Sequence, residues 1–208
     1  MKSEALHFLA LGDSYTIGER VAVAERWPVV LADTLSKSGI QVNAPRIIAT
    51  TGWTTDELAE AIEKENITEK YGLVSLLIGV NNQYRGEAKG YILDQYKKEY
   101  RALVHQAIEF ADGNKKRVFV VSIPDYSVTP FAKDMDTAKI HEELKVYNRV
   151  KREITEELGV LFLDITPISL EAKGDPALIA ADLLHPSAKM YQRWVNEVIY
   201  ESVYQLLK

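Results

Sequence analysis

The sequence predicts an α/β protein of three-layer α/β/α architecture, with helices on both faces of a five-stranded parallel sheet. Short apolar segments rich in Val, Ile and Leu alternate along the chain with longer segments whose apolar residues recur every three or four positions. Buried parallel strands have the first pattern, and amphipathic helices have the second. This alternation implies right-handed crossovers, and five strands favour the flavodoxin-like order 2-1-3-4-5.

The two patterns divide the chain into elements. The predicted strands are Leu6–Leu11, Arg46–Ala49, Leu73–Ile78, Val118–Ile123 and Val160–Leu163. The clearest predicted helices are 91–111, 137–158 and 187–207. Gly159 fits the end of the second helix, and Ser187 fits the N-cap of the third. The apolar face of that last helix contains Tyr191, Trp194, Val195 and Val198. The loop at 125–136 either shapes a cleft or simply connects two elements.

Composition limits the class of protein. The 208 residues fit a single domain over 1–208, and the net charge of -5 argues mildly against nucleic acid or an anionic membrane as a partner. The chain contains no cysteine, which excludes disulfides, thiol nucleophiles and zinc–thiolate sites. No apolar stretch approaches the roughly 20 residues of a membrane span.

The amino terminus does not resemble a signal peptide. Its apolar run is short and leads directly into a serine-containing turn. Either a cytoplasmic protein or a processed secreted form is consistent with this pattern. The sequence predicts no particular oligomeric state.

Polar residues follow the predicted strands at positions that matter for chemistry. Ser14 comes after the first strand, Gly52 after the second and Asn81 after the third, while Asp182 and His185 follow the fifth. Because the carboxyl ends of parallel strands open on one edge, these residues are expected to meet there. A hydroxyl, backbone amides, a carboxamide and an Asp/His pair are the groups that acyl transfer needs.

Each of these residues also has a structural interpretation when taken alone. Ser14 is a candidate helix cap, Gly52 and Asn81 are candidate turn residues, and His185 is a candidate capping or packing residue. The joint arrangement favours the catalytic interpretation. Three further histidines have no partner at a useful spacing and are interpreted as structural: His7, His105 and His141.

The motifs resemble those of the SGNH hydrolases, also called the GDSL lipase/esterase family. Gly12-Asp13-Ser14 matches the first family block, Gly52 the second, Gly79-Val80-Asn81 the third, and Asp182 with His185 the last. Together these blocks cover nearly the whole chain.

Two residues depart from the family pattern. Tyr15 stands where the family name has leucine, which affects the shape of the pocket. Asn82 stands where aspartate is usual, which puts in doubt the loop hydrogen bonds that the aspartate would make.

The resemblance implies a serine hydrolase. Ser14 would be the nucleophile, His185 its general base and Asp182 the carboxylate that orients the imidazole, with the oxyanion bound by Ser14, Gly52 and Asn81. Asp13 is expected to brace the turn through backbone hydrogen bonds. The candidate substrate pocket consists of Tyr15, Trp53, Gln83, Tyr84 and Arg85.

The expected substrate is a small-molecule ester with a short acyl group such as acetyl, and a carbohydrate is a candidate for its alcohol part. No cofactor or metal is predicted. Within the family, a thioesterase, a lysophospholipase or an acyltransferase remains open. Outside it, the alternatives are a non-catalytic flavodoxin-like ligand-binding module and a metal-dependent hydrolase using Asp13, Asp182 and His185. Neither a phosphate-loop motif nor a paired-histidine motif supports these alternatives.

Overall fold

A computed structural model describes residues 5–86 and 92–208. Five parallel strands form a sheet in the order β2-β1-β3-β4-β5. Their bounds are Phe8–Gly12 (β1), Arg46–Ala49 (β2), Leu73–Leu77 (β3), Val118–Val121 (β4) and Leu161–Leu163 (β5). The predicted α/β class and strand order are confirmed.

Helices cover both faces of the sheet. They are α1 Ser14–Ile17, α2 Trp27–Lys37, α3 Thr55–Glu65, α4 Val80–Arg85, α5 Leu93–Phe110, α6 Thr137–Glu157, α7 Thr166–Leu170, α8 Ala188–Arg193 and α9 Tyr200–Leu207. Helices α3, α5 and α6 contact one another in series, and α2 contacts α8 and α9. The start of one predicted helix, Tyr91, and the terminal Met1–Glu4 lie outside the described residues.

The core lies on both sides of the sheet. Every residue of β1, β3 and β4 is buried, as expected for central parallel strands that are covered by helices on two faces. The first strand of the structure begins and ends later in the chain than the predicted Leu6–Leu11. Leu6 makes only an isolated bridge to Val42, whereas the continuous ladder begins at Phe8 and runs to Gly12.

The last predicted helix is interrupted by a π-helical turn at Trp194–Ile199, between α8 and α9. The extra residue of such a turn shifts the buried face by one position. Ile199 is therefore fully buried, while the predicted face residue Val198 is only half-buried. Ser187 caps α8 as predicted, because its hydroxyl accepts the Met190 amide at 3.3 Å. No helix in the described ranges is long and apolar enough to cross a bilayer.

Candidate active site

The register of the sheet brings the first three predicted site segments together. Gly12 at the end of β1 is paired with Ala49 at the end of β2 and with Leu77 at the end of β3. The carboxyl ends of these three strands are therefore aligned. Ser14 and Gly52, which follow two of them, lie at the same edge of the sheet.

The turn after β1 is tightly constrained. A Cβ on Gly12 would lie 2.2 Å from Thr16 Oγ1 and 2.4 Å from the Leu77 carbonyl oxygen, so that only glycine fits. Asp13 is the N-cap of α1, and its Oδ1 accepts the Tyr15 amide at 3.0 Å. Asp13 therefore braces the turn as predicted. Ser14 is the first residue of the helix rather than its cap, which removes the capping interpretation.

Gly52 lies in the turn after β2 with a φ of 89°, a backbone conformation that favours glycine. Its carbonyl oxygen accepts a hydrogen bond from Arg85 Nη2 at 2.5 Å, and Arg85 Nη1 donates to Glu57 Oε1 at 3.0 Å. These bonds fix the peptide that follows Gly52. The Gly52 amide has no acceptor in the described part of the chain and borders the site cavity.

Asn81 lies near the start of α4, where its carboxamide reaches the turn after β2. Asn81 Nδ2 donates to the Trp53 carbonyl oxygen at 2.9 Å. Because an amide nitrogen carries two hydrogens, this bond orients the group and leaves its second hydrogen for another acceptor.

Asn82, which stands where the family usually has aspartate, still makes hydrogen bonds to the neighbouring loop. Asn82 is buried, its Oδ1 accepts the Thr55 amide at 3.1 Å, and its Nδ2 donates to Thr55 Oγ1 at 2.8 Å. A carboxamide thus ties α4 to the start of α3 with one acceptor and one donor.

Asp182 and His185 lie on a closed loop whose two ends are joined by backbone contacts. Ile179 bridges Pro186, and the Ala180 amide donates to the His185 carbonyl oxygen at 2.7 Å. Leu183 at the tip has a φ of 68°, an uncommon conformation for a leucine. The loop as a whole holds the Asp/His pair in one short segment.

The Asp182 carboxylate makes three hydrogen bonds within this loop. Its Oδ1 accepts the amides of Leu184 at 3.1 Å and His185 at 3.0 Å, and its Oδ2 lies 2.6 Å from His185 Nδ1. Burial opposes ionisation of Asp182, but the hydrogen bonds from His185 and Leu184 outweigh it and lower the pKa of this carboxyl group. Asp182 therefore remains ionised at neutral pH, and the resulting stabilisation is lost only as the pH falls through this lowered pKa.

Ser14 and His185 line the same cavity, of about 130 Å³. Its wall consists of Ser14, Tyr15, Thr51, Gly52, Val80, Asn81, Tyr84, Tyr126, Phe131, Leu184 and His185. No hydrogen bond joins Ser14 Oγ to His185 among the described contacts, and such bonds are often long without substrate. Nδ1 of His185 is held by Asp182, so that Nε2 is the ring nitrogen available to Ser14.

Three aromatic rings form one side of the cavity. The centroids of Tyr84 and Tyr126 are 6.2 Å apart, those of Tyr84 and Phe131 6.1 Å, and those of Tyr126 and Phe131 6.5 Å. Tyr126 and Phe131 belong to the loop at 125–136, so this loop shapes the cleft.

The predicted pocket residues divide into two groups. Tyr15 and Tyr84 line the cavity, and the Tyr15 ring packs at 5.7 Å from the His185 ring. Trp53, Gln83 and Arg85 do not line it. Gln83 and Arg85 instead make hydrogen bonds to residues around the site. Gln83, for example, accepts the Tyr126 hydroxyl at 3.0 Å and donates to Glu143 at 2.8 Å.

The sequence reasoning missed several residues near the site. The cavity also includes Thr51, Val80, Tyr126, Phe131 and Leu184. The available sequence signal is Pro124, just before the loop at 125–136, and Pro130 within it, which mark the segment that carries Tyr126 and Phe131.

His141 also has a partner that its sequence neighbours do not reveal. Its Nδ1 lies 2.5 Å from Oδ2 of the buried Asp125. This second Asp/His pair does not border the cavity that contains Ser14. Across residues 5–86 and 92–208, no three His, Cys, Asp or Glu side chains form a cluster that could hold a metal ion.

Comparison with known proteins identifies the family to which this fold and these motifs belong. The profile of the GDSL-like lipase/acylhydrolase family matches residues 10–193, and the chain belongs to this family. The family resemblance is thereby confirmed, and membership assigns the chain to the carboxylic ester hydrolases.

Individual proteins are similar to the chain in sequence or in fold. The chain is 28% identical over 148 residues to an acetylxylan esterase of Geobacillus stearothermophilus, a match that covers 65% of this chain and 61% of that relative. The crystal structure of Axe2, an acetylxylan esterase from that organism, aligns with a TM-score of 0.69 at 22% identity over 100% of this chain and 96% of that one.

A second structural neighbour comes from a different source. LAE5, an α/β hydrolase from the metagenome of Lake Arreo, Spain, aligns with a TM-score of 0.69 at 20% identity over 100% of both chains. At these identities the two structures support the fold alone.

Proposed function

We propose that the protein is a serine esterase that removes a short acyl group, such as acetyl, from a hydroxyl group, with a carbohydrate as the favoured alcohol. The observation that carries the proposal is the 2.6 Å contact between Asp182 Oδ2 and His185 Nδ1, on an imidazole that borders the same cavity as Ser14. The resemblance to an acetylxylan esterase supports acetyl as the acyl group.

In the proposed reaction, Ser14 Oγ attacks the ester carbonyl carbon while His185 Nε2 takes the hydroxyl proton. The oxyanion accepts hydrogen bonds from the amides of Ser14 and Gly52 and from Asn81 Nδ2. When the intermediate collapses, the carbon–oxygen bond to the alcohol breaks and His185 returns the proton to that oxygen. Water then attacks the acyl-enzyme by the same route and releases the acid and Ser14.

Covalent labelling tests the nucleophile. A fluorophosphonate is expected to modify the wild type at Ser14, and the Ser14→Ala variant is expected to remain unlabelled because it lacks the proposed nucleophile. Ser202→Ala on the exterior of α9 is a matched control and should label like the wild type. Mass spectrometry of the labelled peptide reads the result. A folded wild type that is not labelled would refute the proposal.

The size of the cavity favours a small acyl group. Its volume of about 130 Å³ is well below the roughly 300–1,000 Å³ of pockets that hold drug-sized ligands. Tyr84, Tyr126 and Phe131 form one side, which favours a small group in the space directly beside Ser14. A thioesterase or lysophospholipase that acts on long chains fits this space less well.

A chain-length series tests this size limit. Among p-nitrophenyl esters, kcat/KM is expected to fall by at least about tenfold between acetate and octanoate, and Phe131→Ala should shift the preference toward longer chains by about tenfold because it removes one wall. Phe110→Ala removes a half-buried ring at the end of α5, away from the cavity, and should leave the preference unchanged. A wild type that prefers octanoate would contradict the short-chain assignment.

A further inference from the structure

The turn at the end of α1 is hydrogen-bonded to the backbone of Ser14. Gly18 ends this helix with a φ of 69°, and the amides of Gly18 and Glu19 each donate to the Ser14 carbonyl oxygen at 3.1 Å. Helix α1 has only four residues, so these two bonds close its single turn. Glu19 therefore has a fixed position relative to the residue that carries the proposed nucleophile.

The Glu19 side chain reaches the turn that follows β2. Thr51 Oγ1 donates to Glu19 Oε2 at 2.5 Å. A hydrogen bond to a carboxylate is roughly twice as strong as one between neutral groups. Thr51 lines the cavity and directly precedes Gly52, whose amide is a proposed oxyanion donor. Glu19 thus joins the turn of Ser14 to the turn of Gly52.

The Arg20 side chain reaches the loop that carries the Asp/His pair. Arg20 Nε lies 3.6 Å from Glu19 Oε1 and 3.6 Å from Asp182 Oδ2. Asp182 Oδ2 is also the oxygen that contacts His185 Nδ1, at 2.6 Å. One guanidinium group therefore lies between a carboxylate attached to the Ser14 turn and the carboxylate that contacts the imidazole.

The backbone at Arg20 is unusual for an arginine. Its φ is 68°, in the left-handed region that favours glycine. Residues held in such conformations cluster at functional sites. An arginine here supplies Asp182 with a positive charge that does not depend on pH, because the guanidinium group remains protonated. An isolated ion pair at the surface contributes little, but this guanidinium contacts carboxylates of two segments at once.

We propose that Glu19 and Arg20 are positioning residues for ester hydrolysis, which together hold the Thr51 turn and the Asp182 loop against the turn that carries Ser14. This proposal rests on the proposed function of Ser14. Neither Glu19 nor Arg20 lines the cavity. The loss of either charge is therefore expected to disturb the alignment of the base with the hydroxyl more than it disturbs the binding of substrate.

Charge removal at each position tests the proposal, with kcat expressed per active site titrated by fluorophosphonate. Arg20→Gln and Glu19→Gln are each expected to lower kcat for p-nitrophenyl acetate by about fivefold, the upper end for an exposed ion pair, with KM changed by less than about twofold. Because the two residues act through one ion pair, the double variant should also lose about fivefold rather than the product of the two losses.

A conservative variant and a distant ion pair serve as controls. Arg20→Lys should keep kcat within about twofold of the wild type, because a lysine ammonium group is one bond farther from the backbone than Arg20 Nε and can reach the same carboxylates. Arg101 contacts Glu157 at 2.7 Å between α5 and α6, away from the cavity. Arg101→Gln should therefore leave kcat unchanged.

The outcomes separate the possible roles. A purely structural role would lower the melting temperature or the number of titratable sites while kcat per site stayed within about twofold of the wild type, and that result would overturn the proposal. A double variant that lost the product of the two single losses would also overturn it, because the two residues would then act independently. A wild type without Ser14-dependent labelling would instead contradict the proposed function.

Discussion

Replacing His185 by alanine is expected to lower kcat by about 10⁶-fold, the loss typical of removing a catalytic histidine from a serine hydrolase triad. The imidazole borders the cavity of Ser14 and is held at Nδ1 by Asp182, so no other base in the described part of the chain faces the serine hydroxyl. Binding should change less than turnover, because the cavity wall is otherwise intact. Steady-state kinetics with p-nitrophenyl acetate measure both quantities.

The chain supplies a matched control for this experiment. His141 also pairs with a carboxylate, at 2.5 Å from Asp125, but away from the Ser14 cavity. His141→Ala leaves Asp125 bonded to the Ser127 amide at 2.9 Å, so the loop keeps that anchor. Its kcat should stay within about threefold of the wild type, as expected for a partly exposed site away from the chemistry. Equal losses in the two variants would mean that His185 has no special role.

Asp182→Asn is expected to lower kcat by about 10⁴-fold while the loop keeps its shape. Asp182 Oδ1 accepts two backbone amides, at 3.1 and 3.0 Å, so the single oxygen of a carboxamide should remain on that side. The new NH₂ group would then face His185 Nδ1 and donate to it. This places the ring hydrogen on Nε2, where it blocks acceptance of the Ser14 proton.

Two measurements check this reasoning. The kcat with p-nitrophenyl acetate should fall, and the nitrogen NMR spectrum of the imidazole should show the opposite tautomer. Asp175→Asn is the matched control, because Asp175 likewise accepts a nearby backbone amide, that of Ala177 at 3.1 Å, and pairs with Lys189 away from the cavity. It should retain wild-type turnover. A fall of less than tenfold in Asp182→Asn would mean that the carboxylate does not set the tautomer.

The sheet and the approximate arrangement of the site are predictable from the sequence because both follow from local rules. Apolar runs identify the strands, and parallel strands open on one edge, so the order of the motifs along the chain is enough to make Ser14, Gly52 and Asn81 neighbours. The spacing of Asp182 and His185 likewise indicates a single turn, and the carboxylate lies 2.6 Å from the ring.

Contacts between distant segments are not predictable in this way. His141 and Asp125 are separated by 16 residues and meet only because α6 packs beside the loop that precedes it. Lys151 lies at the spacing of the buried face of α6, between Tyr147 and Ile154, but a lysine on a helix is usually exposed, so its full burial is not predictable from its residue type. Similarly, the π-helical turn at Trp194–Ile199 shifts the buried face of the last helical segment, and no distinctive residue indicates this turn in the sequence.

If the proposed mechanism holds, the closed loop from Ile179 to Pro186 means that the catalytic site assembles from two parts, each with its own internal hydrogen bonds. One part carries His185, the proposed base, together with Asp182, and the other carries the Ser14 hydroxyl. The Phe131 amide, which donates to the Leu183 carbonyl oxygen at 3.1 Å, links the loop to the aromatic wall. A substitution that alters this contact would change the separation of His185 and Ser14 while leaving the hydrogen bonds within each part unchanged.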